Sequence, residues 1–269
     1  MNPFEKHGIV HLSASSLNAA RSSQAYWLIS YLAKVKDSGS IAMLAGQAAE
    51  EAVSRKLFNP DIPTDECIEF AAKIFKQKTA LGGHDPEDRE SKLEEIVGRV
   101  ADGRKKAFDG MVRNAIVALS PYGIPTSPEN SERQHRIEIR LEGIPVPIIG
   151  YKDFAFDGHG LDVDLKTTAR MPEDMSQEHQ LQAAIYWKAS GNRAQRFCYA
   201  TKSDHKVLEL SAEAAQQQIE TATRIAHGLM KFLSISSDWR ELATFTIPDF
   251  SNFRWGTLTR AAAREIYGF

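Results

Sequence analysis

Residues 150–168 read GYKDFAFDGHGLDVDLKTT, two alternating strand patterns on either side of Asp157-Gly158-His159-Gly160. A glycine-rich Asp-Gly stretch between such runs signals a hairpin turn. A symmetric turn with residues 158 and 159 at its tip sets Asp153 directly opposite Asp164. Side chains alternate across a strand. One face then carries Phe154, Phe156, Leu161, Val163 and Leu165, and reads as core. The other carries Asp153, Ala155, Asp157, Asp162, Asp164 and Lys166. A three-residue turn would break this register. A solvated outer face is one reading of the acids, and Asp157 and Asp162, near the turn, are expected to be solvated. Directly opposed like charges are destabilising, however, so Asp153 and Asp164 need compensation. Mg²⁺ suits that role, since it binds one or two carboxylates plus water and phosphate oxygens. Lys166 shares the face two residues from Asp164, where an ammonium could orient a water or steady a developing charge.

Around this hairpin the period of the sequence changes. Residues 13–35, 40–58, 64–79 and 86–119 read as helices, the last interrupted near Gly103. A Pro/Gly/Ser/Asn loop follows at 120–130. Strands are expected at 136–142, 144–149, 151–157 and 161–166, then a helix at 174–190 and strands at 195–201 and 206–210. A helix at 211–235 and short helical pieces complete the chain. The order predicts an α/β core with a mostly helical N-terminal half.

The chain has 269 residues and 42% hydrophobic content, enough to bury its own core. Two distant cysteines, Cys67 and Cys198, exclude a disulfide framework and any four-cysteine zinc or iron–sulfur site. A net charge of −2 confines any nucleic-acid surface to a local patch. No stretch reads as a signal peptide or a membrane span, so the cytoplasm is the expected compartment. No phosphate-cradling glycine loop is present, so no nucleotide cofactor is expected.

Further candidates lie on the helices. Glu50 shares an inward stripe with Gly46, Val53 and Leu57, where a carboxylate costs free energy unless paired or metal-bound. Gln182 and Tyr186 are spaced i,i+4 on one helix face. Ser13 and Ser15 could cap a helix or bind a terminal phosphate at its N-terminus. Arg104, Lys105 and Lys106, with Arg99 and Arg113, could track a phosphate backbone or form a solvated face. Glu138 could support the site from the first strand. His159 and His179 are isolated and are not read as ligands. The aromatic tail is expected to dock on the body.

Asp153 followed by Asp164-Leu165-Lys166 resembles the motif of PD-(D/E)XK nucleases. Gly150-Tyr151-Lys152-Asp153 through Thr167-Thr168 looks like the RecB-type exonuclease branch. Leu12-Ser13-Ala14-Ser15-Ser16-Leu17, Gly46-Gln47-Ala48-Ala49-Glu50 and Gln182-Ala183-Ala184-Ile185-Tyr186 match flanking motifs in the same order, over roughly residues 10 to 200. Glu50 stands where RecB-type members carry histidine and is more like the lambda-exonuclease branch. Arg21 and Ser22 stand where a cluster cysteine would be, so no iron–sulfur cluster is expected. The resemblance implies one nuclease domain over 1–269. It comprises a helical portion to about 125, a restriction-endonuclease-like core at about 130–235 with a mixed sheet flanked by helices, and a tail from 236. It implies a Mg²⁺- or Mn²⁺-dependent DNA exonuclease of recombination or repair. Glu50, Asp153, Asp164 and the Leu165 carbonyl would hold the metal, and Lys166 would lie beside the attacking water. Gln182 and Tyr186 would hold the lysine or contact DNA. Implied partners are DNA and a single-strand annealing protein or helicase; the oligomeric state is left open, and a closed channel or ring would favour processive exonuclease action. A structure-selective endonuclease and a non-cutting scaffold are the alternatives.

Overall fold

The computed structural model describes residues 1–81, 107–128 and 134–268. Arg99, Arg104, Lys105 and Lys106, and most of the helix expected over 86–119, lie outside the described residues. The N-terminal helices are α1 (Pro3–Lys6), α2 (Ala14–Ser22), α3 (Gln24–Trp27), α4 (Ile41–Phe58), α5 (Thr64–Leu81) and α6 (Ala107–Leu119). Strands β1 (His135–Ile139), β2 (Ile148–Lys152), β3 (Phe154–Phe156) and β4 (Leu161–Thr167) follow. Then come α7 (Gln177–Ala189), β5 (Ala194–Ala200), β6 (His205–Glu209), α8 (Ala212–Leu233), α9 (Trp239–Ala243) and α10 (Thr257–Tyr267).

Two expected elements are divided, each for a local reason. The helix expected over 13–35 stops at Ser23, which is extended at φ −162°. Its hydroxyl accepts from Tyr26 N at 3.2 Å and starts α3 afresh, which then runs into a π-helical turn at Leu28–Leu32. Serine competes in this way with helix continuation. The strand expected at 144–149 begins only at Ile148, because Pro145 and Pro147 offer no N–H to a ladder. Instead the Pro147 carbonyl accepts from Leu12 N at 2.8 Å, tying the N-terminal segment to β2.

The sheet order is β3-β4-β5-β6, with β1 and β2 as a separate antiparallel pair. Phe154 pairs with Val163, Ala155 with Asp162 and Phe156 with Leu161. That is the register that faces Asp153 toward Asp164. The turn is one 3₁₀ turn, Asp157–His159, closed by Gly160 in the left-handed region. β4 and β5 run parallel, which requires a crossover, and α7 supplies it.

The hairpin's aromatic face packs as expected. Phe154, Phe156, Val163 and Leu165 join Ala48, Ala52, Phe75, Phe108 and Val112 of α4, α5 and α6. The opposite face is not solvated. α7 and α8 cover it, with Leu181, Ile185, Ile219 and Leu229 packed around Phe197 and Tyr199 of β5. A parallel strand pair is normally covered on both faces. Asp162, expected in solvent, is therefore only 2% exposed. It survives there because Lys152 Nζ and Gln195 Nε2 each donate to its Oδ2 at 2.9 Å. Asp157 does lie at the surface, where it pairs with Arg193. Among the described residues, no helix is long and apolar enough to cross a membrane.

Candidate active site

Asp153 occupies the bend between β2 and β3. Freed from the ladder, its Oδ2 accepts the Leu165 N–H at 2.9 Å, so a side chain takes a hydrogen bond that backbone pairing would otherwise supply. This fixes Asp153 against β4, which carries Asp164 and Lys166 one residue to either side of Leu165. Asp164 is 4% exposed. Gln182 Nε2 donates to its Oδ2 at 2.8 Å and to the Tyr186 hydroxyl at 3.0 Å. Tyr186 Oη in turn donates to the Tyr151 carbonyl at 2.7 Å. The i,i+4 pair on α7 thus orients one acid and clamps it to β2. Gly150 makes room for the clamp, since a Cβ there would lie 2.7 Å from the Tyr186 ring. Asp164 Oδ1 faces the Lys166 ammonium as an ion pair.

Glu50 comes from α4, on the other side of the sheet edge. α4 approaches β4 closely at Gly46, whose added Cβ would meet Thr167 Oγ1 at 3.1 Å. Gln134 joins the acids: its Nε2 donates to Glu50 Oε1 at 2.9 Å and to Asp153 Oδ1 at 2.8 Å. Glu50, Asp153, Asp164, Leu165, Lys166 and Gln182 therefore line one cleft of 260 Å³. A larger cleft of 720 Å³ adjoins it, sharing Lys166, Gln182 and Tyr151. Ser13 and Ser15 of the α2 N-terminus line that larger cleft, as does Arg254 from the tail. Ser13 is also the α2 cap, accepting from Ser16 N at 3.1 Å. Arg113 lies elsewhere, paired with Asp65 and Asp109. Glu138 is exposed and pairs with Arg136 at 2.9 Å, outside the cleft.

Charge crowding leaves its mark on the titrating groups. Burial, then the charges of Asp164 and Glu50, hold the Asp153 carboxyl well above the usual carboxylate range. Burial alone would lower the Lys166 pKa, but Asp164 and Asp153 outweigh it and the ammonium is held above its ordinary value. Burial and then Asp164 raise the Tyr186 hydroxyl. Burial and then Lys166 lower the His179 imidazole. His179, not read as part of any site, lines the larger cleft, stacks on Phe197 and meets the Tyr199 hydroxyl at 2.8 Å.

The donor set is all hard oxygen, which suits Mg²⁺ or Mn²⁺. Glu50, Asp153 and Asp164 bring three carboxyl groups to one cleft beside a single ammonium, an excess of acid that fits a cation in the same place. The set is not closed as it stands: among the described residues, no three His, Cys, Asp or Glu side chains converge on one point.

The Asp153 crowding predicts a pH effect. A carboxyl whose pKa is higher folded than unfolded binds extra proton in the folded state between the two values, so stability falls as pH rises through that window. The window opens at the unfolded value, about 4, and ends at the raised folded one. Asp153→Asn removes the term. In EDTA at pH 8 its urea midpoint should exceed that of the unsubstituted protein, and its decline from pH 5 to 8 should be shallower. A lower midpoint at pH 8 would mean that the crowding is not felt.

Among known proteins, no family model matches the chain, and no curated protein does. Solved structures do. One from Eubacterium rectale, named a putative exonuclease, superposes with a TM-score of 0.50 at 14% identity. The match covers 81% of this chain and 82% of that one, so the two share a mixed α/β fold along most of their lengths. The structure of SSO0001 gives a TM-score of 0.33 at 14% identity, over 72% of this chain and 87% of that one.

Proposed function

We propose that this chain is a metal-dependent DNA nuclease with a restriction-endonuclease-like core of the PD-(D/E)XK class, acting as an exonuclease. The observation that carries the reading is Asp153, Asp164 and Lys166 brought together at a bent strand pair, with Glu50 reaching them from a separate helix. The E. rectale neighbour's name points the same way.

Bound at Glu50, Asp153, Asp164 and the Leu165 carbonyl, Mg²⁺ or Mn²⁺ would lower the pKa of a water and offset phosphate charge. In the metal-free site Asp164 and Asp153 hold the Lys166 ammonium above its ordinary pKa. Beside a bound cation it would orient the attacking water or hold a phosphate oxygen. Gln182, itself held by Tyr186, keeps Asp164 from turning away from the cleft. Ser13, Ser15 and Arg254 line the wall along which a strand would lie.

The test is incubation with linear and closed-circular duplex DNA in Mg²⁺, in Mn²⁺ and in EDTA. Metal-dependent loss of linear DNA alone is the expected result. Loss of both forms would make the chain an endonuclease. Binding of DNA without cutting in any buffer would leave a non-cutting scaffold.

A further inference from the structure

The Gln134 carboxamide occupies an unusual place. One nitrogen donates to two carboxylates that come from separate elements, Glu50 at 2.9 Å and Asp153 at 2.8 Å. Both amide hydrogens are thereby used. The reverse orientation would set the carbonyl oxygen against two acceptors, so the network selects the nitrogen.

An amide nitrogen between two carboxylate oxygens is a wide spacer. A Mg²⁺–oxygen bond is about 2.0–2.1 Å, shorter than either hydrogen bond. A cation bridging these two oxygens would draw them closer together than the two diverging N–H groups hold them. Gln134 also lines the 720 Å³ cleft together with Ser13, Ser15 and Lys166. A strand lying in that cleft would press on the same side chain. The amide is neutral and relieves only part of the repulsion that raises Asp153.

We propose that Gln134 is a latch on the acidic centre: it holds Glu50 and Asp153 apart, a divalent cation joins them by displacing it, and strand entry into the cleft releases it. The proposal rests on the metal-dependent nuclease reading above. It makes cation capture weak in the free protein and strong beside a bound strand, the reciprocal coupling that linkage demands.

The test is calorimetric titration of Mn²⁺ into EDTA-stripped protein, alone and with a phosphorothioate duplex that resists hydrolysis. Gln134→Ala should bind Mn²⁺ about tenfold more tightly without the duplex, roughly the worth of one charge-assisted hydrogen bond. With the duplex bound, the variant and the unsubstituted protein should agree within about twofold. Gln134→Met, which keeps the shape and removes the donors, should behave like the alanine variant, and thermal melts check that both fold. Equal or weaker Mn²⁺ binding by both variants would overturn the latch and make Gln134 a bystander or a ligand. Asp153→Asn marks the site: its loss of Mn²⁺ binding assigns the heat to this centre. If the unsubstituted protein binds Mn²⁺ no better than Asp153→Asn, with and without duplex, the nuclease reading falls and the latch falls with it.

Discussion

Lys166→Ala is expected to lose metal-dependent cleavage of linear DNA by on the order of a thousandfold, the scale seen when one positioned charge-stabilising group is removed. The ammonium is ion-paired with Asp164 and lies over the Phe197 ring at 5.3 Å. Both contacts fix it at the mouth of the acidic cleft. Its side chain is 30% exposed, so truncation opens no large cavity and the fold should persist. Lys166→Arg should not rescue the rate. Its planar fork would meet Asp164 in a different geometry from a compact ammonium. A single-turnover assay at saturating Mn²⁺ separates the chemical step from cation loading. Cleavage by Lys166→Ala within a few-fold of the unsubstituted rate would remove this hairpin as the reaction centre.

Asp162→Ala is expected to lower unfolding free energy by about 3–5 kcal/mol, as breaking one side of a buried ion pair does. Lys152 and Asp162 are both buried, at 8% and 2% exposure. The acid also accepts from Gln195 and has Arg193 Nε at 3.6 Å. Removing it leaves the buried Lys152 ammonium without its carboxylate, whereas Arg193 keeps Asp157 and Gln195 keeps Ser190. Replacing both partners by apolar residues, Lys152→Met with Asp162→Leu, should recover most of the loss, because no unpaired charge remains buried. Urea unfolding at pH 7 checks both variants. A loss below about 1 kcal/mol for Asp162→Ala would mean that water reaches the pair and screens it.

Much of this molecule could be read along the chain. Alternation at 154–165 gave the core face and the register, because period and turn chemistry are local properties. Glu50 could be found because an acid on an inward helical stripe is out of place. What covers the second face of the hairpin could not be read there. Asp162 looks solvated by alternation, and its burial depends on α7 folding back from fifteen residues further on in the chain. Gln134 gave no signal of any kind, since a lone glutamine ahead of a strand has no period and no charge. Pro145 and Pro147 did carry a readable signal: two missing donors argue against a strand at 144–149. His179 looks isolated along the chain, and only the approach of β5 gives it Phe197 and Tyr199 as neighbours.

The turn of the hairpin has a consequence for how such a site diverges. Residues 157–160 are all exposed and touch little of the core, whereas the rungs Phe154–Val163 and Phe156–Leu161 are sealed on both sides. Insertions and deletions are therefore tolerated at the tip and resisted in the rungs. The number of residues separating Asp153 from Asp164 belongs to the tip, while their closeness belongs to the rungs. Lineages can drift in linear spacing with the two acids still face to face.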